Sequence, residues 1–158
     1  MLVTLCATAI ALVLQAPSIN SRNAQTGAVS DPLVGSAIYE GPPNFHILHD
    51  QLRGEPRAQA WAVRTEAALR VAFDRAFQAG GRSEPRVICG STLCEAVGVI
   101  AGDRAQVGAA MGAMQGRKMW EDAEKAELSA LGMKFAAPSH PTKGSGMTFV
   151  TYWKRQGD

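Results

Sequence analysis

Charge of one sign is what this sequence has little of: 16 Lys and Arg stand against 14 Asp and Glu, a formal net charge of +2 at pH 7. The basic residues are scattered among the acids and form no patch or stripe, so the electrostatic footprint of a nucleic-acid-binding protein is missing. Charged residues reach 19% and aromatics 6%, against 46% hydrophobic residues. That is globular composition and excludes disorder for the chain as a whole. Cysteine is limited to Cys6, Cys89 and Cys94, which leaves a zinc site built on the last two short of two ligands. There is no internal repeat, no low-complexity tract and no G-x-S-x-G elbow. The stretch TKGSG, Thr142 to Gly146, lacks the full phosphate-loop pattern and reads as a hairpin loop. No cofactor motif is found. With 158 residues, the chain has room for one domain with a real core.

The one long uncharged stretch runs from Leu2 to Leu14 in MLVTLCATAIALVLQAPS. It suits the apolar region of a signal peptide and is short of the roughly 20 residues of a membrane span. No Lys or Arg precedes it, and a cut after Ala16 would place Leu14 at −3 and Pro17 just beyond, both poor for signal peptidase. VTLC lacks the small residue expected before a lipidated cysteine. Residues 1–16 are therefore expected to be a signal peptide or a retained membrane anchor, or the true start lies upstream; the competing reading is a buried helix of a cytosolic protein. Residues 17–44, rich in Ser, Asn, Gly and Pro in their first half, read as a flexible linker. Residues 45–158 remain as a single α+β domain.

Within that domain a short apolar cluster, Phe45, Ile47, Leu48 and Leu52, suggests a turn or two of helix capping the fold. The strongest periodicity lies at 57–79, where Trp61, Thr65, Leu69, Phe73 and Phe77 recur at a spacing near four, with Arg64, Glu66, Arg70, Asp74 and Arg75 facing away. Pro56 suits the first turn and Gly80-Gly81 the end. Two β-branched runs follow at 85–90 and 93–100. Asp103 is a suitable N-cap for a helix carrying Val107, Ala110, Met111 and Met114, which Gly116 would interrupt. Met119, Trp120, Ala123, Leu128 and Leu131 continue a helical pattern, with Gly132 as its C′ residue. The C-terminal segment alternates, with Met133 and Phe135 before a loop and Met147, Phe149, Thr151 and Trp153 after it, and predicts a second hairpin. The order α-β-β-α-β-β predicts a four-stranded antiparallel sheet with two or three helices on one face, a permuted ferredoxin-like plan. In architecture alone it resembles the soluble domains of some secretion and pilus-assembly proteins. If the second face were uncovered, Val150 and Tyr152 would lie on it, open to a partner or a second copy.

Cys89 and Cys94 flank the four residues GSTL at matching ends of the first hairpin. Paired strands would set them opposite one another at about 4.5–5.5 Å between Cβ atoms, close to disulfide range. Thioredoxin-like chemistry favours C-x-x-C at a helix start. The pair therefore reads as a structural disulfide, with redox activity or two buried thiols as the alternatives. The stretches LHDQLRGEPRAQAWAVRTEAALR and VICGSTLCEAVGV carry a resemblance as well. Over roughly residues 45–100 the chain is similar to small exported proteobacterial proteins that join a W-A-x-x-x-E-x-x-L helix to a C-x-S-x-L-C hairpin. The matching positions are Trp61, Ala62, Glu66, Leu69, Cys89, Ser91, Leu93 and Cys94. The resemblance implies export and an oxidised cysteine pair, and no activity.

Other chemistry is thin. His46 and His49, in FHILHD, could share a helix face, and a zinc site would need His140 from the loop SHPTK as a third ligand; surface or capping histidines are the simpler reading, and no metal is expected. Asp103, Glu121, Asp122, Glu124 and Glu127 alternate with Arg117, Lys118 and Lys125 as a solvated helix face would. Ser91 has no base beside it in sequence and reads as a turn residue. The expectation is a non-enzymatic exported domain of the cell envelope with an interaction or accessory role. Its partner would be another envelope protein or a second copy, without nucleic acid, and it would meet the membrane only through residues 1–16. The alternatives are a small periplasmic enzyme or thiol redox protein, and an anchored scaffold subunit of a secretion or pilus assembly.

Overall fold

The first helix among the described residues, α1 (Phe45–Gly54), starts where Asn44 accepts a hydrogen bond from the Ile47 amide at 3.3 Å. The computed structural model describes residues 43–80, 84–137 and 146–157. The N-terminal apolar segment, nearly all of the linker, His140 and most of TKGSG lie outside those residues. After α1 come α2 (Gln59–Gln78), β1 (Arg86–Cys89), β2 (Leu93–Ile100), α3 (Arg104–Met114), α4 (Arg117–Lys125), β3 (Leu128–Ala136) and β4 (Met147–Arg155). The strands form one antiparallel sheet in the order β1-β2-β4-β3. The α+β class and the order of elements are as the sequence predicts. Among the described residues, no helix is long and apolar enough to cross a membrane.

Alternation along β2 and β4 splits the interior into two layers. Cys94, Ala96, Ile100, Phe149 and Trp153 project to one face, where they meet Trp61, Leu69, Phe73 and Phe77 of α2, Ala110 and Met114 of α3, and Met119 and Ala123 of α4. Phe73 stacks on Phe149 with ring centroids 5.4 Å apart. The opposite side of the same strands carries Val97, Val150 and Tyr152, which cluster with Phe45 of α1. Three helices thus cover one face, and α1 lies across the other. Val150 and Tyr152 do lie on that second face, and α1 covers it: both are fully buried, and the Phe45 ring meets Tyr152 edge-on at 4.9 Å. On α1 the stripe Phe45, His49 and Leu52 is buried, while Ile47 is 60% exposed.

Two boundaries differ from the periodic reading. α2 begins three residues after Pro56, because residues 55–58 serve as a connection tied to the first hairpin. The helical pattern expected to run to Gly132 stops at Lys125, and the backbone turns left-handed at Glu127, φ 60°. Residues from Leu128 onward pair with β4 instead. A bulge between Ala130 and Gly132 shifts the alternation there, so the apolar residues fall at a spacing that resembles a helix. Gly132 ends no helix. A Cβ on it would come within 2.6 Å of Pro43 Cγ and 3.0 Å of the Phe45 ring, so glycine is what lets α1 approach β3. Asp103 does cap α3, through a reciprocal pair of 2.9 Å bonds with Gln106.

Candidate functional site

Cys89 and Cys94 face each other in the ladder with Cα atoms 4.1 Å apart and are joined by a disulfide. Both are buried, at 1% and 0% exposure. The hairpin they clip is also gripped from outside by polar groups of the α1–α2 connection and of α2. At its tip, the Glu55 carboxylate accepts from the amides of Ser91 (2.9 Å), Thr92 (2.8 Å) and Leu93 (3.2 Å), and from the hydroxyls of Ser91 and Thr92 at 3.3 and 2.5 Å. Burial pulls the Glu55 carboxyl upward, but the Thr92 hydroxyl and the loop amides outweigh it and hold it below the usual glutamate range. Gly90 permits the approach, since a Cβ there would lie 2.5 Å from Glu55 Oε2.

Along β1 the grip continues. Arg57 donates to both oxygens of Glu66, at 2.6 and 3.1 Å, and to the Cys89 carbonyl at 3.2 Å. Glu66 in turn accepts from the Cys89 amide at 2.9 Å, and Arg70 donates to the Val87 carbonyl at 3.2 Å. Burial raises Glu66, while the Arg57 hydrogen bond, the Cys89 amide and the charges of Arg57 and Arg70 together keep its carboxyl below the usual range. The expectation that Glu66 faces away is therefore corrected. At four residues after Ala62 and three before Leu69 it lies on the buried stripe. Trp61, Ala62 and Leu69 are buried around it, and with Cys89, Ser91, Leu93 and Cys94 the two motif segments meet in one cluster.

A second polar cluster sits under α1. His49 Nδ1 and the Tyr152 hydroxyl both meet Glu95 Oε2, at 2.6 and 2.5 Å. Arg86 approaches the other carboxylate oxygen at 3.6 Å. Glu95 is 2% and His49 7% exposed. Burial and the Glu95 charge push the Tyr152 phenol far above its ordinary range, so it stays a donor. These three groups satisfy one another where an unpaired one would be costly. Nothing in the sequence near Glu95 announces its two hydrogen-bond partners, which lie 46 and 57 residues away.

The remaining sequence candidates separate. His46 is on the half-exposed side of α1 and pairs with Asp50 at 3.0 Å, whereas His49 turns to the sheet; the two share no ligand position. Among the described residues no group of three or more His, Cys, Asp or Glu is placed to hold a metal ion. Asp122 takes Arg75 at 2.8 Å and Lys118, tying α4 to α2; Arg117 pairs with Glu121 at 3.5 Å. Of the residues that build these clusters, Glu55, Glu95 and Tyr152 are not recognisable as site residues from sequence because their hydrogen-bond partners in the clusters are distant, and Arg57 is not because it stands outside the helix that carries Glu66. Neither a family model, nor a curated protein, nor a solved structure matches the chain.

Proposed function

We propose that this chain is a non-enzymatic domain exported to the cell envelope, periplasmic or anchored through residues 1–16, with an interaction or accessory role. The observation that carries the reading is the buried Cys89–Cys94 bond, because disulfides persist chiefly in oxidising compartments. The uncharged stretch from Leu2 to Leu14 supports export independently. Burial of both sulfurs supports a clip over thiol exchange, which needs an exposed thiolate. The two polar clusters support a structural role in the same way, since their strongest donors and acceptors are engaged with one another. Its partner is another envelope protein or a second copy of the chain.

Intact mass of the protein purified from envelope fractions, before and after reduction and thiol alkylation, tests this. The expected result is recovery in the envelope with Cys89 and Cys94 alkylated only after reduction. A cytosolic protein with every thiol already free would overturn both the compartment and the clip.

A further inference from the structure

We draw no further inference here: the strongest candidate, the outer edge of the bulged strand β3 at the end of the sheet, carries nothing because nothing in the structure shows what covers it.

Discussion

Glu66 shows at the scale of one residue why part of this fold is written in the sequence and part is not. Its spacing from Ala62 and Leu69 places it on the inner stripe of α2. A glutamate there reads as solvated because its hydrogen-bond partners lie outside the helix: Arg57 precedes it and the Cys89 amide belongs to β1. Removing one partner of a buried charge costs more than the pair contributes net. Arg57→Ala should therefore lower stability in denaturant titrations, and by more than loss of a surface arginine would. Arg64→Ala, on an exposed residue 3.9 Å from the exposed Glu127, should change it by less than about 0.5 kcal/mol. Equal effects would mean that the Arg57–Glu66 pair adds nothing. Acid should act at the same place. Glu55 and Glu66 both titrate below the ordinary 4.5 when folded. Their contribution is thus complete above that value and disappears as pH falls through the lower, folded-state values. Melting temperature followed from pH 6 to pH 3 should fall mainly below 4.5, and should fall less steeply for Glu66→Gln. Trp61, 5% exposed in the helix–sheet core, reads correctly from periodicity alone, and Trp61→Ala should cost about 3–5 kcal/mol.

Between elements, the first hairpin is held twice, by the disulfide and by Glu55. The covalent bond closes a very short loop, so its effect through chain entropy is small, about 2 kcal/mol or less. Glu55 supplies a charged acceptor to three successive amides, a second restraint on the register that does not depend on the bond. Replacing Cys89 and Cys94 by Ser together should leave the circular dichroism spectrum recognisable and lower the melting point modestly. Glu55→Gln should instead act locally. Hydrogen exchange at the Ser91, Thr92 and Leu93 amides should accelerate about tenfold, on the order of 1.4 kcal/mol, with the disulfide intact. Unchanged exchange would show that the bond alone orders the tip. The hairpin was legible because Cys89, Cys94 and the β-branched runs mark it locally. The placement of α1 was not, since ten residues with Phe45, His49 and Leu52 inward fit either face of a sheet. What decides the face is Gly132, which leaves room for Pro43 and Phe45, together with Glu95 and Tyr152 waiting for His49. All of these lie far along the chain. The start of β3 was misread for a related reason: the bulge at Leu131 breaks the two-residue alternation by which a strand is recognised.

For the whole molecule the open question of any flat sheet is its two edges, each a template for a further strand. The edges are treated differently. At β3 the bulge and Lys134, held over the Phe45 ring at 4.7 Å, blunt the strand. At β1 the protection comes from side chains. The close approach of Cys89 and Cys94, 4.1 Å between Cα atoms, marks a pair whose backbone groups point away from each other. Cys89 and Val87 therefore direct their amides and carbonyls outward. Three of those four groups are occupied by side chains: Glu66 takes the Cys89 amide, Arg57 the Cys89 carbonyl and Arg70 the Val87 carbonyl. The same cluster that clamps the clip thus also closes β1 to strand addition. Substituting Arg57→Ala and Arg70→Ala together frees both carbonyls, and should raise concentration-dependent self-association in light scattering above that of the parent chain. Loss of stability alone could produce association, so Trp61→Ala, which empties part of the core and leaves the edge covered, is the control at matched melting temperature. Greater association of the double arginine variant assigns the effect to the uncovered edge. Equal association of the two would mean that general unfolding is responsible and that the arginines guard nothing.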